Sequence, residues 1–240
     1  PLTNNYENTK KLYDIWSTNK NYVEVGLSLR MHRSILKIKK IIEEMKYGKP
    51  IIFNMWVGQN LFDWRENYKI NKTYSFSEKK GGGIPNDLIH EVDIVTFLFG
   101  KVFSLSSVLK RIGNITLDGN DIGCINFDMC SGVVGHLQMD LVSPVMRRGC
   151  SIVFEDSILD FDYVTGIINI KSKKNNKNII NKINKSRNVM FFDHMKHFIN
   201  NINKKPPIAL CSMIEANYSS YVCEVIKMSH IKEKKIILKT

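Results

Sequence analysis

The stretch VVGHLQMDL, residues 133–141, carries the pattern that decides the fold class. Its odd-numbered residues are apolar or small, and they alternate with residues that include His136, Gln138 and Asp140. An alternation with period two is typical of a β-strand that buries one face and leaves the other face open. The run SILDFDY, residues 157–163, has the same period. Both runs therefore predict strands of a sheet with one covered face.

Further runs of this kind, separated by Gly, Asn and Asp, extend from Val102 to Ile170 and predict an antiparallel sheet. On either side of them, apolar residues recur with the period of an α-helix. The sequence therefore predicts an α+β fold, in which an open, mostly antiparallel sheet carries helices on one face. The expected helices span residues 6–19, 34–47 (ended by Gly48), 85–99 (with Pro85 in the first turn), 189–201 and 212–229, and further strands span 22–29 and 50–60.

The net charge of +12 at first suggests a partner that is a nucleic acid or another anionic surface. Its position argues otherwise, because residues 1–164 carry 20 basic and 19 acidic residues, whereas residues 165–240 carry 15 and 4. Seven of these cations lie in KSKKNNKNIINKINKSR, residues 171–187, which contains no aromatic residue for base stacking. We interpret this segment as a solvated loop and consider nucleic-acid binding a minor alternative.

Cysteine and histidine spacing gives no sign of a metal centre. The five cysteines form no CxxC pair, so they fit neither a disulfide framework nor a zinc site. His194 and His197 are three residues apart on a predicted helix, but no acidic or thiol ligand stands near them in sequence. We therefore predict no metal. No apolar run is long enough for a membrane span, and the N-terminal PLTNNYENTKK resembles no secretory leader, which predicts a cytoplasmic protein.

The stretch GGGIPNDLIHEVDIVTFLFG, residues 81–100, carries the residues best suited to chemistry. On the predicted helix, Asn86 and His90 are one turn apart, and Asp87 and His90 are at positions i and i+3. Histidine transfers protons near neutral pH, and a neighbouring carboxylate raises its basicity. Two interpretations remain open: an acid–base site, or a helix N-terminal turn with a buried and hydrogen-bonded histidine.

Four stretches together resemble the C-terminal half of the Gfo/Idh/MocA oxidoreductases: residues 25–34, 57–68, 77–100 and 147–166. The most specific element is GGG-x3-D-L-x-H-E-x-D, which begins at Gly81. The resemblance implies a Rossmann domain that binds NAD or NADP, followed by a domain that binds the substrate. It also implies hydride transfer between the nicotinamide and a hydroxyl-bearing carbon of a sugar, a sugar derivative or a cyclitol.

Carried over to this sequence, the family motif makes His90 the catalytic base for the substrate hydroxyl. Its acidic partner is Asp87 in the D-L-x-H-E-x-D variant, while Asn86 occupies the place of the aspartate that stands four residues before the histidine in other members. An amide orients a hydroxyl but takes no proton. We therefore give Asp87 more weight and keep both residues as candidates.

The resemblance also assigns residues to binding. Trp64 and Arg65 match a D-W-R element on the substrate side, and Tyr74 lies in the same long polar and aromatic stretch. For Trp64 and Arg65 the alternative is a packed tryptophan beside a surface arginine. Arg30 is the candidate for a contact with the cofactor.

The domain organisation follows from the same resemblance. Residues 1–29 are expected to be the last helix–strand unit of the Rossmann domain, and residues 30–240 the catalytic, substrate-binding domain. No G-x-G-x-x-G occurs, so we expect little cofactor binding or turnover by this chain alone. A non-catalytic subunit or scaffold of the family is the alternative. The resemblance further implies a homodimer or homotetramer that forms through the open sheet face.

Overall fold

One mixed sheet and five helices make up the part of the chain that the structure describes. In the computed structural model these residues are 2–19, 21–64, 73–113, 118–173, 178–182, 187–204 and 207–238. The helices are α1 (Tyr6–Asn19), α2 (Arg33–Glu43), α3 (Ile89–Phe99), α4 (Arg187–Ile202) and α5 (Met213–Ile231). The strands are β1 (Pro50–Gly58), β2 (Val102–Lys110), β3 (Ile122–Met129), β4 (Val134–Asp140), β5 (Arg147–Phe154), β6 (Ser157–Asp162), β7 (Ile167–Ser172), β8 (Asn178–Lys182) and β9 (Ile236–Ile237).

The strand order is β8-β7-β6-β5-β1-β4-β3-β2-β9. The pair β1–β4 is parallel, and every other neighbouring pair is antiparallel. Alternate residues of a strand face opposite sides of the sheet. Phe53 and Leu137 are fully buried on one side, while Ile52 and Val134, which pair with each other, are exposed on the other. Phe53 stacks on Phe99 of α3, and α5 packs against β2, so these helices cover the buried face of the sheet. The predicted α+β fold, with an open and mostly antiparallel sheet, is confirmed.

Helix α5 forms the centre of the helical layer, because it packs against β2, α1 and α3. Its N-terminus is closed by a capping box, in which Ser212 and Glu215 exchange side-chain and backbone hydrogen bonds. Helix α1 rests on α5 through the rings of Tyr6 and Tyr221, whose centroids are 5.4 Å apart. The N-terminal segment therefore packs directly on the rest of the chain, while its origin in a Rossmann domain stays a prediction.

The strand expected at residues 22–29 is wrong. Residues 21–27 have no regular secondary structure, and Ser28–Met31 forms a 3₁₀ helix. An apolar run becomes a strand only where a neighbouring strand accepts and donates its backbone hydrogen bonds. Among the described residues, this segment has a single such long-range bond, from Val25 N to Cys211 O (2.9 Å).

Two predicted helix limits are also wrong. Helix α2 ends at Glu43, since Met45 takes a positive φ of 47°, and Gly48 lies beyond it in a turn. A Cβ at Gly48 would come within 2.5 Å of the Glu155 carboxylate, so glycine is required there by a tertiary contact. Helix α3 starts at Ile89 rather than at Pro85, because residues 84–88 form a turn.

The basic segment 171–187 is not simply a loop. Its described part completes β7 and forms β8, which pairs with β7 at one edge of the sheet. All five cysteines are free thiols. None of the helices in the described part of the chain is both long and apolar enough to cross a membrane.

Candidate functional site

The glycines before α3 form a tight turn over the loop that contains Tyr74 and Ser75. A Cβ at Gly82 would lie 2.5 Å from Ser75 O, so only glycine permits this approach. The three backbone N–H groups donate within the chain: Gly81 to Glu78 O, Gly82 to Ser77 O and Gly83 to Asp87 Oδ2, each at 2.9 Å. The turn is therefore closed on itself and offers none of these donors to a phosphate.

Asp87 holds this turn together. Its Oδ1 accepts from Ser75 Oγ at 3.1 Å, its Oδ2 accepts from Gly83 N, and the Tyr74 side chain also hydrogen-bonds to it. Burial raises the pKa of Asp87, and these three hydrogen bonds oppose that rise without cancelling it. The structure thus brings Asp87 and Tyr74 together, as two members of the predicted site.

Asn86 contacts a different segment. Its Nδ2 donates to Asn4 O at 3.5 Å, and its side chain is buried beside α1 and α5. The expectation that Asn86, Asp87 and His90 share one face of a helix is wrong. Asn86 and Asp87 both precede Ile89, the first residue of α3. Asp87 bonds to Ser75 and Gly83, so the chain forms a turn here and the helix begins only after it.

His90 is the second residue of α3 and is partly exposed. Successive helical residues are rotated by about 100°, which places Val92 and Val95 on the side roughly opposite His90. Both valines are completely buried. The imidazole therefore lies on the side of α3 roughly opposite these two valines, and it is partly exposed.

The residues predicted to bind substrate are only partly described. Trp64 ends the 3₁₀ helix Leu61–Trp64, and it is packed against the core with its Nε1 buried and without a hydrogen-bond partner in the described chain. Arg65 lies outside the described residues. Tyr74 is half exposed at the rim of the glycine turn. The packed tryptophan agrees with the structural alternative for Trp64.

Arg30, the predicted cofactor contact, is almost wholly buried at 1% exposure. Its guanidinium makes two 2.8 Å bonds to Asp93, donates to Leu210 O at 2.9 Å and pairs with Glu215. Burial by itself lowers the pKa of Arg30, but the bonds and charge of Asp93 outweigh it, so the pKa is raised and the group stays charged. These partners tie Arg30 to α3 and α5, while its contact with a cofactor stays a prediction.

Sequence reasoning missed a buried ionic cluster next to His90. Glu91 pairs with Arg148 of β5 (Oε1 to Nε, 2.7 Å), and the Arg148 guanidinium lies 5.2 Å from the ring of Tyr163. His32 stacks against the same tyrosine at 4.8 Å. Burial raises the pKa of Glu91 and lowers that of His32 to about 4, and Arg148 favours the charged carboxylate and the neutral imidazole. The signal in the sequence that could have indicated this cluster was Glu91, the acidic residue directly after His90.

The two histidines considered as metal ligands share a carboxylate that sequence reasoning did not find. Glu24, buried beneath α4, lies 2.8 Å from His194 Nε2 and 3.2 Å from His197 Nδ1. Ser28 Oγ lies 2.8 Å from His194 Nδ1. Among the described residues, no group of three potential ligands is arranged to hold a metal ion. These contacts fasten α4 to the N-terminal segment.

Residues 35–159 match the model of the GFO/IDH/MocA C-terminal domain, which is 125 of the 240 residues. This chain belongs to that family. The match covers both the glycine turn and α3. None of the curated proteins compared with the chain matches it in sequence.

Solved structures with the same fold agree with the family. Levoglucosan dehydrogenase, in its apo form, superposes with a TM-score of 0.87 at 16% identity, over 100% of this chain and 72% of that one. An oxidoreductase from Agrobacterium radiobacter, solved with NAD+, L-tartaric acid and magnesium, has a TM-score of 0.80 at 15% identity, over 97% and 70% of the two chains. An NAD-binding oxidoreductase from Klebsiella pneumoniae has a TM-score of 0.82 at 12% identity, over 100% and 72%. At these identities the likeness defines the fold.

Proposed function

We propose that this chain is the substrate-binding part of an NAD(P)-dependent oxidoreductase that acts on a hydroxyl-bearing carbon of a sugar, a sugar derivative or a cyclitol. The observation that carries the proposal is His90, which stands partly exposed at the start of α3, within the segment that matches the family model. A related fold has been solved with NADH and levoglucosan and with NADH and L-sorbose, which supports both the cofactor and a sugar-like substrate.

The described residues do not fit a dinucleotide by themselves. The N–H groups of the glycine turn are bonded within the chain, and no G-x-G-x-x-G follows a strand. We therefore assign cofactor binding to a separate N-terminal Rossmann domain, of which residues 1–29 are the last unit and residues 30–240 the catalytic partner. By itself this chain should turn over no substrate. Its five free thiols favour a reducing, cytoplasmic location.

In the proposed site, His90 takes the proton of the substrate hydroxyl during oxidation. Asp87 and Tyr74 are joined by a hydrogen bond beside the glycine turn that precedes it. Asp87 is our first candidate for the acidic partner of His90, and Asn86 is the second. Trp64 and Arg65 stay candidates for the substrate side by resemblance to the family, and such an arginine can bond to vicinal hydroxyls or to an anionic group.

The test is the oxidation of levoglucosan, other sugars and cyclitols by the protein joined to its dinucleotide-binding domain, followed as NADH or NADPH formation. His90→Ala should lower kcat by about 100-fold or more, because general base catalysis contributes 10²–10⁴. His136→Ala, on the open sheet face, is the matched control and should retain activity. Unchanged turnover of His90→Ala would show that His90 is not the base. Inactivity on every substrate with both cofactors would contradict the proposal that this protein is an oxidoreductase.

A non-catalytic subunit or scaffold is the second candidate function. It is favoured by Asp87, whose carboxylate is occupied by Gly83 and Ser75, and by the amide of Asn86 in place of an acid. Under this alternative the joined protein shows no turnover, and Asp87→Asn alters stability without altering any activity.

We propose that two copies pair through the open face of the sheet. Three side chains on this face are large, apolar and exposed: Ile52 (40%), Val134 (45%) and Ile158 (42%). The strand register places Ile52 opposite Val134 and opposite Val153, which in turn faces Ile158. A continuous apolar row thus crosses four strands, which is the kind of surface that a homodimer buries.

A further inference from the structure

A pocket lies at the far end of α3 from His90. It encloses about 600 Å³ between α1, α2, α3 and α5, and Phe97 and Tyr218 are among its lining residues. This volume falls within the range of sites for small ligands. Phe97 follows His90 by seven residues, about 10 Å along the helix axis. Neither His90 nor Asp87 lines this pocket, so it is separate from the candidate active site.

The charge of the lining favours an anion. Arg30, Lys39 and Lys101 contribute three cations, and Glu215 is the carboxylate that faces them. Arg30 is already neutralised by Asp93 and Glu215, which leaves the two lysines to act on a ligand. Lys39 has an ion pair with a largely exposed glutamate, whereas Lys101 is exposed and makes no ion pair with any described residue. A ligand anion would meet an uncompensated cation at Lys101.

Aromatic rings line the same space. The centroid of the Phe97 ring lies 4.8 Å from both the Arg30 guanidinium and the Lys39 ammonium, within the range of a cation–π contact. The rings of Tyr218 and Tyr221 have centroids 6.4 Å apart and also line the pocket. Such surfaces pack against the apolar face of a sugar ring or of a similar ring.

Two polar groups remain available to a hydroxyl-bearing ligand. The Tyr218 hydroxyl accepts from Val102 N at 2.9 Å, so its own proton is free to be donated. Asn217 lines the pocket, and its Oδ1 is buried without a hydrogen-bond partner in the described chain. A buried and unpaired acceptor is costly, and a turn of the Asn217 amide towards the pocket would let a ligand hydroxyl satisfy it.

We propose that this pocket binds a phosphorylated sugar, with the phosphate on Lys101 and Lys39, the ring against Phe97 and the tyrosines, and a hydroxyl on Asn217. It is a second small-molecule site that the oxidoreductase reaction does not require. Arg30, the predicted cofactor contact, also lines this pocket, but His90 and Asp87, the residues assigned to proton transfer, do not, so the two proposals can be tested separately.

The experiment is isothermal titration calorimetry of the protein with glucose 6-phosphate, glucose and inorganic phosphate as separate probes. Glucose 6-phosphate should bind at least tenfold more tightly than either of the others, because it alone engages both the lysines and Asn217. Lys101→Ala should weaken its binding about tenfold, the size of one lost bond to a charged group. Asn217→Leu should weaken the binding of glucose 6-phosphate and leave that of inorganic phosphate unchanged.

Lys79→Ala is the control for charge alone, since Lys79 is exposed and lies outside the pocket. Its affinity for glucose 6-phosphate should equal that of the unmodified protein. Three results would overturn the proposal: no binding of glucose 6-phosphate, equal losses in Lys79→Ala and Lys101→Ala, or a loss in His90→Ala that exceeds the loss in Lys101→Ala. The last result would place the ligand in the candidate active site instead.

Discussion

His32 illustrates what burial does to a single residue. Its ring is packed against Tyr163 and Phe161, its Nδ1 has no hydrogen-bond partner among the described residues, and Arg148 is the nearby charge. Burial, assisted by Arg148, lowers its pKa from 6.5 to about 4. The folded protein therefore holds His32 neutral at a pH at which the unfolded chain protonates it.

This shift predicts a loss of stability in acid. The contribution of His32 is complete above pH 6.5 and is lost as the pH falls towards about 4, because the unfolded state then binds an extra proton. At about 1.4 kcal/mol per pKa unit, the free energy of unfolding should fall by about 3 kcal/mol from this group. His32→Phe should remove that part of the pH dependence, as measured by urea unfolding between pH 7 and pH 4. If the free energy of unfolding fell equally with pH in the unmodified protein and in His32→Phe, the prediction would be contradicted.

At the scale of elements, α3 is held in place by a buried ion pair. Arg30 joins the 3₁₀ helix Ser28–Met31 to α3 through Asp93 and to α5 through Glu215. Ser219 of α5 also donates to Asp93 Oδ1 at 2.9 Å. The helix that presents His90 is therefore anchored three residues further along, at Asp93, on the side facing α5. This anchor positions the candidate base without contacting it.

Arg30→Met should destabilise the protein by about 3–5 kcal/mol, because it leaves the carboxylate of Asp93 buried without its cation. Arg33→Met is the matched control, since the Arg33 side chain is 56% exposed and its pair with Asp193 spans 3.3 Å. That change should cost less than about 1 kcal/mol. Urea unfolding monitored by circular dichroism measures both. Equal losses in the two variants would argue against the anchoring role.

For the whole molecule, the open face of the sheet is the surface most suited to self-association. Its polar residues, such as the hydrogen-bonded pair His136 and Asn126, border the apolar row of Ile52, Val134 and Ile158. The opposite face is covered by helices, so only this side of the described sheet can stack on a second copy. Face-to-face packing of sheets buries such rows completely.

Sedimentation equilibrium should give a mass of about twice 27.7 kDa for the unmodified chain. Val134→Glu should shift it to the monomer, because two-fold pairing would bury the new carboxylates without partners. Ile15→Glu, on an exposed part of α1, should leave the dimer intact. A monomeric unmodified chain, or a dimer unaffected by Val134→Glu, would contradict pairing through this face.

Local patterns identified much of this fold. Period two along residues 133–141 and 157–163 corresponds to β4 and β6, and the apolar stripes of the predicted helices correspond to α1, α4 and α5. These signals lie within one element, so no distant partner is needed to interpret them. The predicted start of α3 was wrong because it depends on contacts outside the helix. Asp87 bonds to Ser75 and Gly83 and holds a turn there instead.

The sequence by itself determined the fold class, the family motif around His90 and the uneven distribution of charge, since each depends on residue types at short spacing. The tertiary structure alone decided which polar residues meet. Arg30 pairs with Asp93 across 63 positions, and His197 meets Glu24 across 173. Such pairs arise because burying a charge requires a compensating partner, and the packing of distant elements determines which partner is within reach.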